Sequence, residues 1–122
     1  MQLRHIALVC SSENNSDKFY KGLLGLEKKK SKILPKALCK KLFNQDTEYK
    51  IINYMGNGLH FEIFLGKHDQ EDKTRIEHVC LEVDDLSQFL NSCHAMGSHT
   101  VEIPKEDNVI IFVEDFDGNR FG

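Results

Sequence analysis

Two histidines open two similar stretches of this chain. His78 lies within Arg75–Leu86, R-I-E-H-V-C-L-E-V-D-D-L, and His5 within Leu3–Val9, L-R-H-I-A-L-V. Both stretches alternate as strands do. Over Ile76–Asp84 one face carries Ile76, His78, Cys80, Glu82 and Asp84, and the mostly apolar other face carries Glu77, Val79, Leu81 and Val83. In the first stretch Leu3, His5, Ala7 and Val9 share a face. A third segment, Leu59–Leu65, sets His60, Glu62 and Phe64 opposite Leu59, Phe61, Ile63 and Leu65. Imidazole and carboxylate are ligands for zinc, nickel, cobalt, manganese or iron, and a carboxylate beside a bound metal is equipped to move a proton. A lone strand histidine is more often a structural polar residue. Several on corresponding faces of a repeated pattern point toward a metal.

The elements that must position these residues can be read in order. Gln2–Cys10 reads as the first strand. Ser11–Asn15 is rich in capping residues, so a helix is expected from about Ser16 to Leu24, with Phe19, Tyr20, Leu23 and Leu24 as its buried stripe and Gly25 as its left-handed stop. Leu26–Leu34 is expected as a lysine-rich edge strand, and Pro35–Phe43 as a short helical turn. The lysines from Lys28 to Lys41 read first as a solvated basic face, and second as a platform for an anionic substrate tail. Glu48–Tyr54 and Leu59–Leu65 form a hairpin across Gly56-Asn57-Gly58. Gly66–Thr74, polar and acidic, reads as the one linker. Beyond it Asp85 caps a helix to about Met96, closed by Gly97. Thr100–Ile103 is a strand expected to break at Pro104, Asn108–Glu114 is strongly apolar, and Asp117-Gly118 turns the chain into a last strand at Asn119–Gly122.

The chain has 122 residues and a formal net charge of −3, which fits one domain with a real core. An acidic balance argues against nucleic acid as an obligate partner. No apolar run approaches membrane-spanning length, and the N-terminal segment alternates too strictly for a signal peptide. Cys10, Cys39, Cys80 and Cys93 show no Cys-x-x-Cys spacing and read as reduced thiols of a cytoplasmic protein, with Cys80 a packing residue.

Each half thus reads strand, helix, then three strands ending in a hairpin. Arg4-His5-Ile6 aligns with Glu77-His78-Val79, Leu24-Gly25 with Met96-Gly97, and Gly58-Leu59-His60-Phe61-Glu62 with Gly118-Asn119-Arg120-Phe121-Gly122. With the closing E-D-F-D-G-N-R-F, the pattern resembles the vicinal oxygen chelate superfamily, which includes glyoxalase I, extradiol dioxygenases, methylmalonyl-CoA epimerase, and fosfomycin- and bleomycin-resistance proteins. The resemblance covers nearly the whole chain. It implies an α+β fold: two βαβββ modules forming a cup-shaped curved mixed sheet with helices on the outer face. Module one would span about 1–66, the linker 67–74 and module two about 75–122. It also implies a divalent metal (Zn, Ni, Co, Mn or Fe) held by His5, Glu62 and His78. The family's fourth ligand position falls on Gly122, which has no side chain to offer, so water is expected there. Phe116 stands where the family turn usually reads Asp-Pro-Asp-Gly-Asn.

What the resemblance implies for function is a glyoxalase-like lyase or isomerase acting on a small oxygenated substrate. The metal would polarise a carbonyl or enediolate oxygen, and Glu62 would be the catalytic carboxylate. Arg120 and Phe64 are the expected substrate-binding residues, although a surface salt bridge suits Arg120 equally. His60 and Glu82 rank behind as substitute ligands, and His68, His94 and His99 receive no role. A different class of reading is a non-enzymatic cup sequestering an aromatic or cationic drug, as bleomycin-resistance proteins do. A dioxygenase fits less well, because its triad would need the carboxylate missing at 122. A homodimer is expected, from the resemblance and from the edge that an incomplete last strand would leave unpaired.

Overall fold

Residues 1–67 and 76–122 are described in a computed structural model. The expected linker over 67–74 falls, apart from Lys67, outside them, as do His68 and Arg75. The chain divides into two compact units, Met1–His68 and Asp69–Gly122. Each is built from strands and helix, giving an α+β fold.

In the first unit, strand β1 (Ile6–Cys10) starts later than expected. Its first ladder pair joins Ile6 to Phe61, and His5 stands one residue before it. The helix starts earlier than expected, because Ser12 accepts the backbone N–H of Asn15 at 3.1 Å and caps α1 (Glu13–Ser16). The winding then widens into a π-helical segment, Asp17–Leu23, marked by the bond from Leu24 N–H to the Phe19 carbonyl at 2.9 Å. Neighbours in sequence, Phe19 and Tyr20 are both fully buried. Tyr20 meets Tyr54 and Phe61 of the sheet at ring distances of 5.6 and 5.3 Å. Such ring pairs add about 0.5–1.5 kcal/mol each beyond the area they bury.

The expected lysine-rich strand is two short ones, β2 (Glu27–Lys28) and β3 (Lys32–Leu34). Both pair antiparallel with β4 (Tyr49–Gly56), Lys28 opposite Tyr54 and Lys32 opposite Ile51. Four steps along one side thus match three on the other, so the interruption is a bulge of one residue. Lys29 N–H bonds the Asn53 carbonyl at 2.7 Å, and the Asn53 amide donates to the Lys30 carbonyl at 3.0 Å. The expected turn after Pro35 is a full helix, α2 (Lys36–Phe43), closed by Asn44 in the left-handed region. Strand β5 (Leu59–Leu65) follows β4 through a two-residue turn in which Asn57 and Gly58 both have positive φ, the geometry that Asn-Gly favours. The sheet order is β1-β5-β4-β2, with β1 parallel to β5.

The second unit opens with 76–84, where a full strand was expected. The ladder there reduces to one parallel bridge, Val79 to Phe121. Backbone bonds Val79 to Arg120, Gly122 to Val79 and Leu81 to Gly122 flank it at 3.0, 2.8 and 3.1 Å. The partner strand is short, which limits the pairing. The alternation still holds: Val79, Leu81 and Val83 are half-buried, while His78, Cys80, Glu82 and Asp84 are exposed. Cys80 is therefore not a packing residue, its side having no layer over it in this unit; all four cysteines are free thiols.

Helix α3 (Leu86–Met96) has the expected ends: Asp85 accepts Gln88 N–H at 3.0 Å, and Gly97 takes φ +77. Strand β6 (Thr100–Lys105) runs through Pro104 instead of breaking there. It is an edge of the ladder β6-β7-β8, and an edge tolerates a residue without an N–H. Strands β7 (Asn108–Glu114) and β8 (Arg120–Phe121) complete the unit. Between them Asp115, 4% exposed, accepts the N–H groups of Asp117 and Asn119, both at 2.9 Å. The 76–84 segment bonds β8 on the side away from β7, so the last strand is not the unpaired edge that the sequence suggested. Among the described residues, no helix is long and apolar enough to cross a membrane.

Candidate metal centre

Both units share one register. Ile6 pairs with Phe61 in the first and Val79 with Phe121 in the second, each parallel. That places His5 and His78, and likewise Glu62 and Gly122, at corresponding positions.

In the first unit, β5 turns Phe61 and Ile63, both fully buried, toward the π-helical segment, and His60, Glu62 and Phe64 to the opposite face. His5 and Glu62 meet there, with Nε2 3.5 Å from Oε2. Two ligand atoms each 2.0–2.2 Å from one ion, at tetrahedral or octahedral angles, lie roughly 3–3.5 Å apart. The pair therefore has the separation that a shared cation requires. The Glu62 side chain is 14% exposed, and its other oxygen, Oε1, is 3.9 Å from Lys32 Nζ. His60 is committed elsewhere. Asn53 donates its amide to Lys30, so its Oδ1 accepts, and His60 Nε2–H donates to it at 2.8 Å. That bond fixes the His60 ring against the bulge through Nε2.

In the second unit, His78 Nδ1 is 2.8 Å from the Ile76 carbonyl. A carbonyl only accepts, so Nδ1 carries a proton and Nε2 is left as the ligating atom, the usual arrangement of a metal-bound histidine. The His78 ring meets Phe112 edge-on at 5.1 Å. A Cβ built on Gly122 would stand 3.3 Å from the Phe112 ring and 3.4 Å from His78 Cδ2. Residue 122 thus faces His78 as Glu62 faces His5. Within this unit the Phe112 ring stands beside the glycine, so a side chain at 122 would press on it. Within each unit, among the described residues, no three His, Cys, Asp or Glu side chains converge closely enough to hold an ion.

Of the expected substrate residues, Arg120 is drawn to Glu114, with Nε 3.6 Å from Oε1; this is the salt-bridge reading. Phe64 joins Phe43 and Tyr49 at ring distances of 5.7 Å each, an aromatic group beside Glu62 on the same face. Glu82 is exposed, and His94 meets Thr100 at 3.1 Å. Sequence reasoning missed Lys32 and Phe112 as neighbours of the candidate ligands. Only the bulge at 29–31 and the pairing across β7 and β8 reveal them.

The opposite face of the first unit carries a separate polar network. Lys28 bonds Glu13 at 2.6 Å and Asp17 at 3.1 Å, and Lys50 bonds Glu13 at 2.9 Å. These lysines hold the Glu13 carboxyl below its ordinary range, and Glu13 in turn raises Lys28. Burial pushes the Tyr54 hydroxyl well above the phenol range; it donates to Asp17 at 2.7 Å. The network ties the helix to the sheet and is turned away from His5 and Glu62.

Comparisons with known proteins agree with this architecture. A glyoxalase family protein from Enterococcus faecalis superposes with a TM-score of 0.71 at 16% identity, covering 98% of this chain and 94% of that one. The fosfomycin resistance protein FosX from Listeria monocytogenes, solved with Mn(II) and sulfate, gives 0.69 at 19% identity, covering 98% and 88%. FosX from Mesorhizobium loti gives 0.71 at 13% identity, covering 98% and 87%. No curated protein sequence matches. Residues 2–122 match the family model of the Glyoxalase/Bleomycin resistance protein/Dioxygenase superfamily. With the repeated register and the match over nearly its whole length, the chain belongs to that superfamily.

Proposed function

We propose that the protein binds a divalent metal through His5, Glu62 and His78 and acts as a glyoxalase-like lyase or isomerase on a small oxygenated substrate. The approach of His5 Nε2 to Glu62 Oε2 at 3.5 Å carries this reading, and the Nδ1 bond that leaves His78 Nε2 available supports it. Manganese is the first candidate among Zn, Ni, Co, Mn and Fe, since Mn(II) occupies a FosX structure of the same fold. A bound ion supplies Lewis acidity to a substrate carbonyl oxygen. His5, His78 and Glu62 would hold such an ion, and Glu62 would be the carboxylate that takes a proton from substrate and returns it. With glycine at 122, Glu62 is the only carboxylate of the pair, so a single residue must both take and return the proton.

Elemental analysis of protein purified without chelator tests the reading. About one divalent ion per chain, with metal-dependent turnover of a 2-oxoaldehyde hemithioacetal or a related acid, is expected. A metal-free preparation that takes up no added ion rules it out. The aromatic group of Phe43, Tyr49 and Phe64 favours one second reading, a sequestering protein for an aromatic drug. Tight drug binding by chelated protein, without turnover, would select it.

The protein is proposed to work as a cytoplasmic homodimer. Its free thiols suit a reducing compartment, and the exposed side chains of Ile103 and Ile110, cross-strand neighbours on one face of β6 and β7, suit burial against a second copy. A monomer by light scattering at micromolar concentration in low salt would count decisively against the dimer.

A further inference from the structure

The one-residue bulge between β2 and β3 decides where Lys32 points. In an unbroken strand Lys28 and Lys32, four apart, share a face. Here Lys28 pairs with Tyr54 and Lys32 with Ile51, three residues apart on β4 and so on opposite faces. The ion pairs agree: Lys28 goes to Glu13 and Asp17 on the helix side, and Lys32 goes to Glu62 on the other. Two other lysines of this segment form ion pairs, Lys29 with Glu27 and Lys36 with Asp46, both with exposed partners. Lys32 alone among these is brought to a candidate ligand. Bulges beside functional sites commonly re-aim a side chain in this way.

We propose that Lys32 is the substrate-anion residue of this site, and that the substrate carries an oxyanion such as a carboxylate or phosphonate. The inference rests on the metal reading of His5 and Glu62. Glu62 divides its oxygens, Oε2 toward His5 and Oε1 toward Lys32 at 3.9 Å. Such a distance is an ion pair without a short hydrogen bond. Once a divalent ion shares the carboxylate, the locality holds more positive than negative charge. Lys32, with its side chain 59% exposed, is then free to turn its donors to a ligand from solvent. A lysine acts there as a mobile point charge, suited to an oxyanion of varying shape.

The test is calorimetric, with Mn(II) chloride titrated into parent, Lys32→Met and Lys32→Arg, then sulfate titrated into each Mn(II)-loaded protein. Lys32→Met is expected to weaken sulfate about fivefold or more, the scale of a charge-assisted hydrogen bond at a half-exposed position. The same change should tighten Mn(II) binding roughly two- to tenfold at low salt, since a like charge has been removed beside a ligand. A merely structural lysine would not produce that tightening together with the sulfate loss. Lys32→Arg should keep most of the sulfate affinity. Sulfate binding equal in parent and Lys32→Met, with Mn(II) bound normally by both, overturns the role of Lys32 and leaves the metal site standing. Failure of the parent to bind Mn(II) overturns both.

Discussion

His5→Ala and His78→Ala are each expected to weaken Mn(II) or Zn(II) binding by about 100-fold or more, since losing even the partners that orient a ligand costs 10- to 100-fold. Both variants should fold. His5 precedes the first ladder pair and its side chain is 44% exposed, while His78 is exposed and contributes no backbone bond of the Val79–Phe121 bridge. His60→Ala is the internal control. It ranks behind His5 and His78 as a ligand and is held to Asn53 through Nε2, so its loss should change metal affinity less than theirs while loosening the contact to the bulge. Metal titration followed by elemental analysis of the dialysed proteins reads all three. Equal affinity in His5→Ala, His78→Ala and parent would remove these residues from the ligand set. A loss confined to His60→Ala would move the site to a histidine that ranked behind them.

The corresponding positions of the two histidines were legible because they rest on local signals. Alternation around His5 and His78 and the Gly-rich hairpins at 56–58 and 118 survive any tertiary context, and the register of Ile6 with Phe61 and Val79 with Phe121 repeats the sequence alignment. Asp85 and Gly97 marked their helix for the same reason: cap geometry is decided within a few residues. What escaped depends on partners far away in sequence. The π-helical turn at Asp17–Leu23 buries Phe19 and Tyr20, neighbours in sequence, at once, with Tyr20 packed on Tyr54 and Phe61. Strand β6 passes through Pro104 because it is an edge, a fact of sheet order and not of composition.

The candidate site divides the same way. Chemistry-bearing types on the right face were visible, but their neighbours were not. Seven lysines between Lys28 and Lys41 look alike in sequence. The pairing of Lys32 with Ile51 is what separates one of them from the rest. Arg120 was visible as a residue type suited to an anion, but its nearness to Glu114 depends on the pairing of β7 with β8.

Gly122→Glu is expected to tighten metal binding, and the size of the gain depends on Phe112. Residue 122 stands to His78 as Glu62 stands to His5, so a glutamate there completes the pair of carboxylates that the superfamily resemblance implies. Its backbone is already fixed by bonds to Val79 and Leu81 at 2.8 and 3.1 Å, so the new side chain starts from a defined strand position. The obstacle is steric. A Cβ at 122 comes within 3.3 Å of the Phe112 ring, which must retreat a few tenths of an ångström before the carboxylate can extend past His78. Phe112 is half-buried, so it can retreat at the cost of its edge contact with the imidazole. Gly122→Glu alone should therefore gain less than the double change with Phe112→Leu, which clears the space. The double variant should bind Mn(II) about tenfold or more tightly than parent, the lower end of what partners around a metal contribute. It should also show the larger rise in any lyase turnover, because proton transfer would again have a carboxylate on each side of the substrate. If neither variant alters metal affinity while His5→Ala and His78→Ala still do, residue 122 does not face the metal, and the equivalence of the two hairpins ends at Phe121.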